Sequence, residues 1–183
     1  MILSVRKTLA TASLLLASLG ALTGCASAPT VADYARETPV MDMKEYFNGT
    51  VDAWGMFQDR SGKVVKRFTV LMKCHWDGDV GTLDEDFSYS DGTREKRVWT
   101  IRKEGNRYVG TAADVKGQAL GEGAGNAFNF KYTLLLPVDG TVYEVQFDDW
   151  LYRMDERTVL NRAVMSKFGF TLGAVTLSFR KRD

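Results

Sequence analysis

The chain has 183 residues, with 24 basic and 23 acidic side chains, a formal net charge of +1 at pH 7 and one histidine. This length predicts a single domain, and the hydrophobic residues, 45% of the chain, are numerous enough for a packed core. A near-neutral chain lacks the basic surplus that binding to nucleic acid requires. One histidine leaves few ways to build a metal site or a catalytic triad, so we expect no metal and no cofactor.

The N-terminus has the pattern of a targeting segment. Arg6 and Lys7 precede an uncharged apolar stretch, residues 9–22, which is too short for a transmembrane helix. The stretch ends in Leu22-Thr23-Gly24-Cys25, which resembles the lipobox of bacterial lipoproteins. The resemblance implies cleavage after residue 24, a diacylglyceryl group on the Cys25 sulfur and an acyl chain such as palmitate on the new N-terminus. The alternative is an ordinary secretory signal with a chance cysteine.

These features predict three segments. They are a signal peptide over residues 1–24, a lipidated N-terminus and tether over residues 25–43, and a β-barrel domain over residues 44–183. Ala26 rather than aspartate follows the cysteine, which in many Gram-negative lipoproteins favours passage to the outer membrane. We therefore expect a domain in the periplasm, anchored in the outer membrane by its lipid. Cys74 would then be the only free thiol, and a small buried hydrophobic residue.

Beyond residue 44, runs of alternating polar and apolar residues predict β-strands separated by tight turns. Asp77-Gly78, Asp91-Gly92 and Asp139-Gly140 are typical of β-hairpin turns. Consecutive hairpins give about nine or ten strands in an antiparallel up-and-down meander, which loses its exposed edges most simply by closing into a barrel. The sequence therefore predicts an all-β barrel.

Two segments are ambiguous. Leu160, Val164 and Phe168 recur at a spacing that fits one face of a helix and also one face of a strand, and we favour a strand. The glycine-rich residues 117–125 predict a bulge or a sharp corner, because glycine adopts the backbone angles of tight bends at low cost.

Catalytic motifs are few. Adjacent strand residues point to opposite faces, so Cys74 and His75 do not form a dyad. No motif identifies a catalytic residue, and we predict none. The acidic residues are the one alternative: Asp84 and Asp86 share a strand face from which Glu85 points away, and Asp148-Asp149 follow Phe147. Paired carboxyl groups can act as general acid and base. The competing interpretation is salt bridges to neighbouring basic residues.

Aromatic residues in the predicted strands are the strongest remaining signal. The inward positions of a barrel with eight to ten strands either fill the core or line a ligand cavity. The candidate walls of such a cavity are Trp54, Trp99, Trp150 and Tyr152. Inward polar residues would contact a ligand headgroup, and the candidates are Arg153, Arg162 and Asn161.

Several short blocks along the chain are together characteristic of one family. They are Tyr46-Phe47-Asn48-Gly49, Ala53-Trp54-Gly55, Phe57-Gln58-Asp59-Arg60, Gly81-Thr82-Leu83-Asp84-Glu85, Arg97-Val98-Trp99, Phe147-Asp148-Asp149-Trp150 and Leu160-Asn161-Arg162. Together they resemble the DUF3833 family, a group of proteobacterial lipoproteins without an assigned function. The resemblance covers about residues 34–181 and implies a lipocalin-like or calycin-like barrel. It implies no catalytic or binding residues.

Three hypotheses about function follow. In the first, the barrel binds an apolar or amphipathic small molecule without covalent chemistry. In the second, the barrel is solidly packed and its outer face docks another envelope protein. In the third, the protein is a hydrolase or isomerase of envelope substrates that uses Asp84, Asp86, Asp148 or Asp149. A ligand carrier is the hypothesis we favour, and the step from barrel to carrier is an analogy of fold.

Overall fold

Ten antiparallel strands close into a barrel in the computed structural model, which describes residues 28–183. The strands are β1 (Gly49–Asp59), β2 (Val64–Asp77), β3 (Val80–Tyr89), β4 (Arg94–Glu104), β5 (Arg107–Thr111), β6 (Ala119–Ala124), β7 (Ala127–Val138), β8 (Thr141–Arg153), β9 (Thr158–Lys167) and β10 (Phe170–Lys181). Each strand pairs with its neighbours in sequence, and β10 pairs with β1. The prediction of an all-β, up-and-down barrel is confirmed. The predicted signal peptide and Cys25 lie outside the described residues.

In the ambiguous segment, Leu160 and Val164 lie in strand β9, as favoured, whereas Phe168 lies in the β9–β10 turn with a φ of +50°. Strand β9 pairs with β8 on one side and β10 on the other, so its backbone hydrogen bonds run between strands. The alternation of its side chains follows: Asn161 and Ala163 are buried inside the barrel, whereas Leu160 is exposed.

The glycine-rich segment differs from its prediction. Residues 119–124 form β6, a strand in continuous register with β5 and β7, and the turns lie at its flanks, where Gly117 and Gly125 have φ of +68° and +54°. Within the strand, Gly121 faces the interior, and a Cβ there would lie 2.5 Å from Cζ of Phe128. Gly121 therefore makes room for an aromatic ring, and a bend is not the reason for the glycine.

The same packing rule recurs around the barrel. In each case a Cβ on an inward-facing glycine would lie less than 3.0 Å from an aromatic ring. The pairs are Gly55 with Phe68, Gly81 with Trp76, and Gly110 with Phe130. At these positions a large ring occupies the space that a side chain on the neighbouring strand would take, because protein cores are packed to crystal-like density.

One end of the barrel is closed by a short helix, α1 (Met43–Tyr46). Asp42 caps it by accepting a hydrogen bond from the Glu45 backbone N–H at 3.0 Å, as an N-cap residue does. Phe47 follows, and its carbonyl accepts a 2.7 Å hydrogen bond from the buried Trp76 indole. Helix α1 and Phe47, directly before β1, therefore form the floor of the barrel, and an earlier 3-10 turn, Val31–Tyr34, lies outside it.

The segment before α1 packs along the outside of the barrel. Val31 is buried, and the Tyr34 ring lies 5.9 Å from Trp150 and 5.4 Å from Tyr152. The Met41 backbone N–H donates to the Gly125 carbonyl at 2.7 Å. Packing thus begins at Val31, before the predicted domain boundary at residue 44. No helix among residues 28–183 is long and apolar enough to cross a membrane.

The barrel is a self-contained unit. Every strand from β1 to β10 is paired on both sides within residues 49–181, and the preceding segment supplies the floor. Since a closed barrel has no free edge, residues 28–183 hold all the partners that these strands need.

Candidate ligand-binding cavity

The barrel encloses a cavity of about 170 Å³. Its floor is apolar, formed by Met43 and Phe47 together with Met72 and Leu83. At the opposite end Phe57 and Tyr89 line the cavity and remain partly exposed. The cavity therefore reaches solvent at the end of the barrel that carries the β1–β2 and β3–β4 turns.

Aromatic rings form much of the wall. Tyr132 and Phe147 lie opposite each other on β7 and β8, and their rings stack at 5.0 Å with an 8° interplanar angle. Trp99 meets Tyr132 edge to face at 5.4 Å and Phe130 at 5.3 Å. Such rings supply apolar area together with a partly negative face.

A polar cluster interrupts this apolar wall at mid-depth. Glu85 on β3 and Arg97 on β4 are paired in register, and both point inward. An Nη1 atom of Arg97 lies 3.8 Å from the Glu85 carboxylate. Arg97 also donates from Nε at 2.9 Å and from Nη2 at 2.8 Å to Oδ2 of Asp114. The Arg97 guanidinium therefore forms ion pairs with two carboxylates.

Asp114 reaches this cluster because β5 and β6 are short. The connection between them, residues 112–118, runs beside β7, where Leu135 N–H donates to the Asp114 carbonyl at 2.7 Å and Lys116 N–H to the Thr133 carbonyl at 2.9 Å. These backbone bonds fix the connection in the gap between β4 and β7. The Asp114 side chain then extends to Arg97.

Asp149 and Asn161 form the other half of the cluster, on β8 and β9. The Asn161 side-chain N–H donates to the Asp149 carboxylate and, at 3.0 Å, to the Trp150 carbonyl. The Tyr132 hydroxyl donates to Asp149 at 3.3 Å. Both partners of Asp149 are uncharged.

Burial shifts the proton affinities of these groups. Burial raises the pKa of Glu85 to about 7, although the nearby Arg97 acts in the opposite direction. Burial likewise raises the pKa of Asp149 to about 6, against the hydrogen bonds from Asn161 and Tyr132 that favour its charged form. For Arg97, burial alone would lower the pKa, but Glu85 and Asp114 raise it overall, so the guanidinium stays charged. Two carboxyl groups in the cavity are thus poised to exchange protons near neutral pH.

Of the four aromatic residues predicted as walls, Trp99 lines the cavity. Trp54 is 52% exposed on the outer face of β1. Trp150 and Tyr152 also face outward, where their stacked rings contact Tyr34. The structure does not bring these three side chains to the interior.

The two predicted arginines lie apart from the cavity. Arg153 is buried near the floor, where its Nη1 donates to the Val40 carbonyl at 2.8 Å and to the Glu45 carboxylate at 2.9 Å. Arg162 is exposed on the outside of β9. Arg153 therefore fastens the chain segment that closes the barrel.

The four aspartates of the hydrolase hypothesis do not share a site. Asp84 lies on the outer face of β3 at 2.7 Å from the Lys96 ammonium, which is 3.5 Å from Asp86. Asp148, also outside, accepts a 2.7 Å hydrogen bond from Asn129. Asp149 alone among them lines the cavity. Within residues 28–183 no three side chains of His, Cys, Asp or Glu converge as metal ligands.

Glu85 and Arg97 were not singled out from the sequence as cavity residues, nor was Asp114 as a partner of Arg97. A signal for the first two was present: Leu83, Glu85 and Phe87 share one strand face, and so do Arg97, Trp99 and Ile101. A charge within an apolar stripe indicates a charge inside the barrel. Asp114 lies in a loop, where no alternation marks the direction of a side chain.

A family model described as "Protein of unknown function (DUF3833)" matches residues 19–181. The chain is a closed ten-stranded β-barrel protein, and it belongs to this family. A search of curated proteins finds no match.

Proposed function

We propose that this protein is a lipid-anchored envelope protein that buries an apolar or amphipathic small molecule inside its barrel. Cys25 would carry the lipid and hold the domain at the periplasmic face of the outer membrane. The observation that carries the binding function is the cavity of about 170 Å³, whose wall combines aromatic rings with a polar cluster. Concave sites that are mostly apolar, with a few convergent polar groups, are typical of small-molecule sites.

The cavity size limits the ligand. The space of about 170 Å³ is many times the roughly 10–15 Å³ that a cavity needs in order to hold one water. A small molecule or one end of a longer chain fits this space, and a complete diacyl lipid does not. The longer part of an amphipathic molecule would leave through the end lined by Phe57 and Tyr89.

The interior favours ligand binding over the interaction module. The module hypothesis requires a solidly packed barrel, whereas here an apolar cavity reaches partly exposed residues at one end. The polar groups inside also have a use in ligand binding, because they would orient an amphipathic molecule. A barrel that only displayed its outer face would be more stable with apolar residues at these positions.

Native mass spectrometry of residues 26–183, exported to the periplasm, tests the binding function. We expect an extra mass that is lost on denaturation and identified as a small apolar or amphipathic molecule. Ala163→Phe should abolish that mass, because Ala163 lines the cavity and a benzyl side chain would occupy the ligand's space. Val164→Phe, one residue away on the outer face of β9, is the matched control and should retain it.

Two results would contradict the binding function. A protein that stays free of ligand from the periplasm, and also when purified protein is mixed with a total envelope lipid extract, would contradict the binding function. An extra mass that survives Ala163→Phe would show binding outside the cavity and would contradict it equally. Circular dichroism of both variants confirms that each is folded.

The anchor has a separate test in the full-length chain. Cys25→Ala should move the protein from the membrane fraction to the soluble periplasmic fraction, since the thiol would no longer accept a lipid. Cys74→Ala is the matched control, because this buried cysteine lies inside the barrel, and the variant should remain with the membranes. Retention of Cys25→Ala in the membrane fraction would contradict a lipid anchor at this residue.

A further inference from the structure

We propose that the cavity selects amphipathic molecules that carry a positively charged amine, with the ammonium group bound beside Asp149 and Asn161. This inference rests on the proposed ligand-binding function and names the chemical class of its ligand. Four features of the cavity support it: its charge balance, an unpaired acceptor, the absence of a free cation and the aromatic wall.

Negative charge exceeds positive charge in the polar cluster. The carboxylates of Glu85, Asp114 and Asp149 face a single cation, Arg97. Arg97 pairs with Glu85 and Asp114, whereas the hydrogen-bond donors to Asp149 are the uncharged side chains of Asn161 and Tyr132. Among residues 28–183, Asp149 therefore has no cation bonded to it, and the charge of Arg97 offsets its desolvation only in part. A ligand ammonium group would supply a bonded cation.

The second feature is an acceptor without a donor. Asn161 is 3% exposed and lines the cavity, and its side-chain Oδ1 has no hydrogen-bond partner among residues 28–183. Its Nδ2 group bonds the Asp149 carboxylate and the Trp150 carbonyl, two acceptors, which fixes the orientation of the amide. A buried acceptor without a donor costs free energy. An ammonium group has N–H donors and no acceptor, so one bound to Asp149 would place a donor near Asn161 Oδ1.

An anionic ligand finds no free partner here. Arg97 is the one basic residue that lines the cavity within the described part of the chain. Its Nε and Nη2 donate to Asp114, and Nη1 faces Glu85. A carboxylate or phosphate headgroup would have to displace these acidic side chains while lying near Asp149. The negative headgroup and the Asp149 carboxylate would repel each other, so the site discriminates against anions.

The aromatic wall is the last feature. Tyr132, which contacts Asp149 through its hydroxyl, stacks on Phe147, and both rings line the cavity. Cations are attracted to aromatic faces, and the attraction strengthens where water is excluded. The alkyl part of the ligand would lie toward Phe87 and Tyr89, nearer the open end of the cavity.

Three probes of equal chain length test the inference by calorimetric titration of residues 26–183 at pH 7.5. They are octylammonium, 1-octanol and octanoate, which differ only in headgroup. We expect octylammonium to bind at least tenfold more tightly than either of the others. Asp149→Asn should remove most of this preference, because it removes the carboxylate. Asp148→Asn, the adjacent residue on the outer face, is the matched control and should keep it.

The outcomes separate the two claims. If 1-octanol or octanoate binds in the cavity as tightly as octylammonium, the amine inference is overturned and the ligand-binding function stands. If none of the three binds and the protein also stays empty in envelope lipid extract, both fail. A preference for octylammonium that persists in Asp149→Asn assigns the effect to another acidic surface and overturns the inference. The ranking of probes in the unaltered protein decides the question even if Asp149→Asn fails to fold.

Discussion

Glu85 and Arg97 lie directly opposite each other on β3 and β4, and the Arg97 guanidinium, 3.8 Å from the Glu85 carboxylate, joins it to Asp114 on a loop from the other side of β5. This arrangement places an ion pair inside a barrel whose interior is mostly apolar. It also ties the loop of residues 112–118 to this inward-facing pair. A substitution at this pair should therefore change the free energy of unfolding of the barrel.

Removal of Arg97 should destabilise the barrel strongly. Arg97→Met would leave Glu85 and Asp114 without their cation, and loss of one partner from a buried ion pair costs about 3–5 kcal/mol. The double variant Arg97→Met, Glu85→Gln should recover part of this loss, since the amide leaves only the partly exposed Asp114 without a cation. Urea unfolding at pH 7.5 measures both. Equal stability of the single and double variants would show that Glu85 is not coupled to Arg97.

Stability should depend on pH through Glu85. Burial raises the pKa of this carboxyl group from 4.5 to about 7, so the folded state holds the proton more tightly than the unfolded state. The corresponding stability is present in full below pH 4.5 and is lost as the pH rises through 7. Relative to Glu85→Gln, the unaltered protein should lose on the order of 3 kcal/mol of unfolding free energy over this range.

The pH series needs a control on the same strand. Asp86→Asn makes the same carboxyl-to-amide change on the outer face of β3, beside Lys96, and should change the unfolding free energy by no more than about 0.5 kcal/mol. Urea unfolding from pH 4.5 to pH 8 gives both curves. A constant difference between the unaltered protein and Glu85→Gln would mean that Glu85 is not buried in solution.

Truncation of two phenylalanines should change the stability to very different extents. Phe128 is fully buried against Gly121, whereas Phe170 is 75% exposed at the β9–β10 turn. Phe128→Ala should cost about 3–5 kcal/mol through lost burial and the cavity left behind. Phe170→Ala should stay within about 0.5 kcal/mol of the unaltered protein. Thermal unfolding compares them, and similar losses would place Phe170 in an interface or Phe128 outside the core.

Much of the fold could be predicted from the sequence because the signals for turns and strands are local. Glycine-containing turns such as Asp91-Gly92 separate alternating strands, and the positive φ of Gly92, +86°, agrees with that use. Barrel closure was predicted because it is the simplest way to remove the exposed edges of a long meander. The packing of residues 31–43 could not be predicted in this way, because Val31 and Tyr34 pack on distant strands without any periodicity.

The cavity was harder to predict than the barrel. Trp54 and Trp99 are both strand tryptophans, yet one faces solvent and the other the interior. The side of a strand that faces inward depends on register across the whole sheet, and many strands here carry apolar residues on both faces. Asp149 and Asp148 differ for the same reason. Sequence alone named Trp99 and Asn161, which line the cavity, and did not separate them from the outward-facing Trp54 and Arg162.

Methyl NMR titration of residues 26–183 with 1-octanol and octylammonium, each in turn, tests the central claim that the barrel interior is the ligand site. The account predicts that at least one probe shifts the methyl resonances of Leu83, Leu134 and Leu151, which line the cavity. The exposed Leu120, Leu160 and Leu172 on the outer surface should keep their positions. Shifts confined to these outer methyl groups, or no shifts with either probe, would contradict it.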